Sequence, residues 1–134
     1  MVNVATCGCL ASFILKLVWW VDFGMPFGSE VGFRRPVIIL KNDVLNESNL
    51  RTVVVLPLTT NTVYAELPNN VFLSKELTGL SKDSVTQPHL LVHVDKNRLL
   101  EKVSKLSDSI IEKALDGVIE CIRTIQNLSL SVYF

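Results

Sequence analysis

Residues 28–61, GSEVGFRRPVIILKNDVLNESNLRTVVVLPLTTN, decide how the rest of the chain is read. They hold two almost uninterrupted apolar runs, Val37–Leu40 and Val53–Leu58, each with a polar cluster at one end. Arg34-Arg35-Pro36 precedes the first run, and Thr59-Thr60-Asn61 follows the second. Short β-branched runs of this length predict buried strands rather than helices. Polar residues at strand ends then stand on a rim held by a rigid sheet, and a guanidinium with hydroxyls on such a rim suits an anion. Pro36 biases Arg35 toward extended backbone, which places it at a strand entrance. Asn42-Asp43 and Asn46–Asn49 supply turn chemistry between the runs. Gly28 and Gly32 bracket a short flexible segment whose backbone can approach a ligand or a neighbouring loop.

Working outward, Leu15–Phe23 is β-branched and aromatic and ends at Gly24, which predicts a further strand and a loop. Thr62–Leu67 reads as another strand, followed by a turn at Pro68-Asn69-Asn70 and a short run Val71–Leu73. Thr78–Asp83 is polar and contains Gly79, so a loop is expected there. Ser84–Val94, interrupted by Pro88, reads as an extended segment. Leu99, Val103 and Leu106 fit either a helical stripe or a strand with its turn. Ser109–Ile125 is the clearest helix: Ile111, Leu115, Val118, Ile122 and Ile125 recur at three- and four-residue steps. Ser109 with Glu112 has capping-box spacing, and Ser107 is the alternative cap. Gly117 in its middle costs up to ~1 kcal/mol relative to alanine. The tail LSLSVYF has no assigned role. Many short strands closed by one helix imply an α+β domain built on a small, strongly curved sheet or barrel.

The chain has 134 residues, one small domain that buries roughly two-thirds of its unfolded surface. Thirteen basic residues balance thirteen acidic ones, so no global field draws in nucleic acid, and any basic site must be local. Cys7, Cys9 and Cys121 form no CxxC pair and read as reduced intracellular thiols. Apolar residues dominate the first 24, where only Lys16 and Asp22 are charged. No positive region precedes this stretch and no small-residue cleavage site follows it, against a signal peptide. Lys16 interrupts it, against a spanning helix. A soluble, cytoplasmic protein with no membrane contact is expected.

From the residues alone, Arg34 and Arg35 fit either a solvated turn or a planar fork that grips a phosphate bidentately. The hydroxyls of Thr59-Thr60-Asn61 either satisfy their own backbone or add a second ligand to the same phosphate. Ser29 and Glu30 read equally as loop solvation, or with Glu30 orienting Arg35 or touching a base edge. His89 and His93 are four apart, a metal-pair spacing on a helix. In an extended chain that separation is ~13 Å, too far for one metal. No metal or other cofactor is expected, and His89 is left as a single proton-transfer or base-contacting group.

WWVDFG at 19–24, GSEVGFRRPVIILKND at 28–43 and VVVLPLTTN at 53–61 together resemble the MazF/PemK family of toxin endoribonucleases. DSV at 83–85 and VDKNRL at 94–99 resemble that family's later motif. The resemblance implies a small SH3-like β-barrel of the MazF/CcdB type with a C-terminal helix. It also implies a homodimer, metal-independent cleavage of single-stranded RNA at short sequences, and inhibition by a cognate antitoxin. Residue by residue, the catalytic arginine falls on Arg35, immediately before the proline, and the catalytic threonine on Thr59. Ser29 and Glu30 match the loop over the groove, and Thr60, Asn61 and His89 complete the expected substrate contacts. Residues 1–16 lie outside the pattern as an apolar N-terminal extension, 17–126 form the toxin-like domain, and 127–134 a tail. Where many relatives carry Glu-Gln and a following Arg-Thr, this chain has His89-Leu90 and Val92-His93. The alternatives on the same fold are a non-catalytic module that binds DNA gyrase, or a degenerate relative.

Overall fold

The computed structural model describes residues 16–25, 27–28, 32–40 and 51–133, with side chains as far as Arg123. The expected strand at Leu15–Phe23 is β1, Leu17–Asp22. The two apolar runs are β2, Arg34–Ile39, and β3, Thr52–Thr59. Then come β4, Phe72–Leu73, the single turn α1, Lys75–Thr78, and β5, Ser84–Thr86. Strands β6, Val92–Asp95, and β7, Leu99–Lys105, lead into α2, Asp108–Tyr133. The turn residues at 42–49, the extension 1–15, and Cys7 and Cys9 lie outside the described residues.

All pairings are antiparallel, in the order β4-β5-β3-β2-β1-β7, and β6 also pairs with β3. β6 therefore flanks β3 while β7 flanks β1, on opposite sides of β2. Yet only a three-residue 3₁₀ turn, Lys96–Arg98, joins them. A connection that short spans far less than the width of a flat sheet of these strands, spaced about 4.8 Å apart. The sheet must curl until its edges approach. The result is a half-barrel, the expected α+β architecture.

The curl creates two cores. Val21, Val37, Ile39, Val53, Val55 and Val94 pack on its inner side, joined by Trp19, Phe23 and Leu99. On the outer side Val18, Ile38, Leu56, Leu58, Leu73 and Leu106 meet Ile111, Ala114 and Val118 of α2. β2 and β3 feed both cores from alternate residues, which is why their sequences are nearly all apolar. At the open end of this unit, Lys16 pairs with Asp108, and the Leu106 amide donates to the Lys16 carbonyl at 2.6 Å. These contacts lash the entry of β1 to the start of α2. Among the described residues no helix is long and apolar enough to cross a membrane.

Three expectations change. Thr62–Leu67 is not a strand: Thr62–Glu66 is a 3₁₀ helix capped by Asn61, whose Oδ1 accepts the Val63 amide at 3.3 Å. The edge of β3 that it would need is already taken by β5, through Thr59 opposite Val85. β propensity has no force without a strand to pair with. Ser84–Val94 is not continuously extended, because Pro88–Leu90 forms a 3₁₀ turn between β5 and β6. The stripe on α2 also rotates: Ala114 and Cys121 are buried with Ile111 and Val118, whereas Ile122 is 51% exposed.

The ambiguous segment at Leu99 is a strand. Its alternation is hidden because Val18 and Trp19 face Ser104 and Lys102, and Trp20 and Val21 face Glu101 and Leu99. Val103 and Leu100 are thus extra residues in two β-bulges, which break the period of two. α2 begins at Asp108, so Ser107 is the residue before its first turn and its carbonyl accepts the Ile111 amide at 3.2 Å. The helix runs past the expected limit at Ile125. Gly117 has a reason beyond propensity: a Cβ there would lie 2.2 Å from the Asn69 carbonyl oxygen.

Candidate functional site

β1 and β2 form the rim that carries the arginines. Asp22 faces Arg34, Val21 faces Arg35 and Trp20 faces Pro36. Past the last ladder pair the connection narrows to a neck: the Phe23 amide donates to the Phe33 carbonyl at 2.8 Å, and the Phe33 amide to the Gly24 carbonyl at 2.7 Å. Gly24 has φ +71° and Phe33 φ +61°. Gly24 takes this conformation without steric cost, and its amide is held by the Asp22 carboxylate at 2.9 Å. Both arginines lie within β2, and Arg34 is exposed while Arg35 is half-buried. Arg35 shares the inner side of the curl with Val37, two residues on.

The β2–β3 ladder runs from Ile39 opposite Val55 to Val37 opposite Pro57. Continued by two residues, the same register sets Arg35 across from Thr59. In this register Leu40 and Val54 form a hydrogen-bonded pair, so the last such pair would be Pro36 with Leu58, and Pro36 has no N–H to donate there. There β3 pairs through Leu58 and Thr59 with β5 on its other side. The strand ends bearing Arg35 and Thr59 therefore face each other without being zipped together. A gap between facing, half-buried donors is a place for an anion.

Thr59 Oγ1 accepts the Asn61 amide at 3.2 Å. That bond uses an oxygen lone pair and leaves the hydroxyl proton to be donated elsewhere. Asn61 serves as the cap described above, and Thr60 is exposed. Ser29 and Glu30 lie outside the described residues.

His89 belongs to a separate concavity beside this rim. An open cleft of ≈ 510 Å³ is lined by Phe23, the segment His89–Asp95, and Arg98. Phe23 stands two residues beyond Val21, the partner of Arg35. Just before the cleft-lining segment the Gln87 amide donates to the Pro57 carbonyl at 3.0 Å, anchoring the turn of His89 next to the end of the β2–β3 ladder. Arg35, Thr59, Thr60 and Asn61 do not line the cleft. His93, Asp95 and Arg98 do, and sequence reasoning gave them no role; the signal available was that Asp95 and Arg98 fall within VDKNRL. Among the described residues, no group of three or more His, Cys, Asp or Glu side chains is arranged to hold a metal ion.

A family model described as PemK-like, MazF-like toxin of type II toxin–antitoxin system matches residues 17–122, from the first residue of β1 into α2. The chain belongs to this family. The Endoribonuclease MazF6 of Mycobacterium tuberculosis is 36% identical over 101 residues, covering 75% of this chain and 89% of that relative. The crystal structure of MazF from Deinococcus radiodurans shares the fold with a TM-score of 0.67, over 81% of this chain and 94% of that one, at 18% identity. A mycobacterial endoribonuclease solved in complex with its cognate antitoxin gives a TM-score of 0.62 at 17% identity, over 81% and 93% of the two chains. The half-barrel with its C-terminal helix is thus the fold of MazF toxins.

Proposed function

We propose that this MazF-family chain is a toxin endoribonuclease that cuts single-stranded RNA at short sequences without a metal ion. The observation that carries the proposal is the placement of Arg35 and Thr59 on facing, unzipped ends of β2 and β3. In the reaction the 2′-hydroxyl oxygen attacks the adjacent phosphorus. The 2′-hydroxyl gives up its proton as this bond forms, the bond to the 5′-oxygen breaks, and that oxygen takes up one proton, so a 2′,3′-cyclic phosphate and a 5′-hydroxyl result with no net change in protons. Negative charge builds on the pentacoordinate phosphorane, where fixed donors are most effective.

Arg35 supplies charge and two donors to that oxyanion, and Thr59 supplies the hydroxyl proton that its bond from Asn61 leaves available. A guanidinium does not give up its proton in proteins, so Arg35 acts by electrostatic stabilisation and not as the base. Ser29, Glu30, Thr60 and Asn61 contact the flanking nucleotides. His89 contacts a base from the neighbouring cleft. The domain that does this is 17–126, with 1–16 an extension and 127–134 a tail.

The working form in this reading is a cytoplasmic homodimer held in check by a cognate antitoxin. A solved MazF-fold relative is bound to such an antitoxin, which supports the assignment. An acidic, partly disordered antitoxin segment competes with RNA for Arg35, the same charge serving both. The test is incubation with a mixed RNA pool in EDTA. Discrete cuts with 5′-hydroxyl ends are expected, lost when the cut-site ribose is 2′-deoxy. Continued cutting of the deoxy substrate would refute the mechanism. Co-purification with gyrase without any RNA cleavage would favour the binding module instead.

A further inference from the structure

Arg98 ends the three-residue turn that joins the two approaching edges of the sheet. Its Nη1 donates to the Asp22 carbonyl oxygen at 3.2 Å, a contact between residues 76 positions apart. The same nitrogen lies 3.3 Å from where a Gly24 Cβ would stand, so the guanidinium is seated directly against the neck. The turn behind it is braced, since Asp95 Oδ1 accepts the Asn97 amide at 2.8 Å. We propose that Arg98 is a positioning residue, a clamp that fixes the β1–β2 neck and through it the entrance of β2 carrying Arg35.

The route from Arg98 to Arg35 is short. Asp22 is the ladder partner of Arg34, and Val21 that of Arg35. Phe33, which closes the neck with two hydrogen bonds, is two residues from Arg35. Phe33 also holds a left-handed backbone that a non-glycine residue adopts only when its surroundings enforce it. Without the clamp, Asp22 and Gly24 lose the Arg98 contact that ties them to the opposite sheet edge, and the neck is free to open. Donors aimed at a developing oxyanion are sensitive to such shifts: a misplacement of ~1 Å costs on the order of 10²-fold in rate.

The catalytic half of this inference rests on the endoribonuclease reading; the structural half does not. The experiment therefore has two readouts on the full chain, with Arg98→Met, which keeps the aliphatic stem, and Arg98→Lys. The first is amide hydrogen exchange at Phe23 and Phe33, with the Leu40 amide, bonded to the Val54 carbonyl at 2.9 Å, as internal control. Loss of one charge-assisted bond should speed exchange at the neck by about tenfold or more in Arg98→Met, less in Arg98→Lys, with Leu40 unchanged. The second is RNA cleavage: kcat should fall on the order of 10²-fold in Arg98→Met while KM stays within about threefold, and Arg98→Lys should lie between.

Unchanged neck exchange in both variants overturns the clamp. So does weakened RNA affinity with a salt slope reduced by about 0.7 and an intact neck, the mark of a direct phosphate contact. If Arg98→Met does not fold, Arg98→Lys decides by the same exchange comparison. A wild-type chain that cleaves no RNA would refute the proposed activity while leaving the exchange result to judge the clamp.

Discussion

Replacing Gly117 with alanine sets two physical effects of opposite sign against each other. Helix propensity alone makes Gly117→Ala stabilising by ~1 kcal/mol, because alanine loses less backbone entropy in a helix interior. The packing says otherwise. The added Cβ would sit 2.2 Å from the Asn69 carbonyl oxygen, whereas real Cβ atoms essentially never come under 3.0 Å, so the backbone must yield by roughly 0.8 Å. Asn69 is poorly placed to yield. It has φ +75°, and the next residue is held through its side-chain amide to the Tyr64 carbonyl at 3.0 Å. Overpacking against backbone costs typically 1–3 kcal/mol or more. Set against the propensity gain, the net should be destabilisation by about 0–2 kcal/mol. Equilibrium urea unfolding with unchanged slope measures it. For a domain of this size, a melting point lower by up to about 8 °C accompanies the loss. A Gly117→Ala protein more stable than the parent would refute the close approach of α2 to the Asn69 turn.

The remaining predictions concern the rim. Thr59→Ser keeps the hydroxyl and should retain cleavage within about tenfold, whereas Thr59→Val should lose on the order of 10²–10³ in kcat while still unfolding cooperatively. Equal losses in the two variants would remove the hydroxyl donor from the mechanism. Asn61→Ala removes the cap of the Thr62–Glu66 turn and should cost about 1 kcal/mol of stability by urea titration. A neutral Asn61→Ala would mean that turn is held by other contacts.

What the sequence made legible follows from how each residue is buried. β2 and β3 are apolar on both faces because each feeds two cores, so their runs read directly as strands. Pro36 made the entrance of β2 readable too, by stiffening Arg35. Choosing Arg35 over Arg34 needed the family resemblance; in the structure Arg34 is exposed and Arg35 half-buried.

Other features depend on partners distant in sequence. Thr62–Leu67 has strand composition, but the edge of β3 next to it is occupied by β5. β7 hides its alternation behind two bulges set by its pairing with β1. Gly117 looked like a tolerated flaw until Asn69, 48 residues earlier, was seen against it. The cleft and the Arg98 clamp exist only where the curl brings β6 and β7 back to the end of β1. Local composition carries none of that information.

The central claim is that Arg35 and Thr59 together stabilise an RNA phosphorane. It is tested most directly by mapping the ends produced from a mixed RNA pool in EDTA, with Arg35→Ala as the matched control. The account predicts discrete cuts bearing 5′-hydroxyl and 2′,3′-cyclic phosphate ends with the parent protein, and loss of ~10²-fold or more in cleavage rate with a folded Arg35→Ala. Cuts of the same kind at the same rate from the Arg35→Ala protein would contradict it.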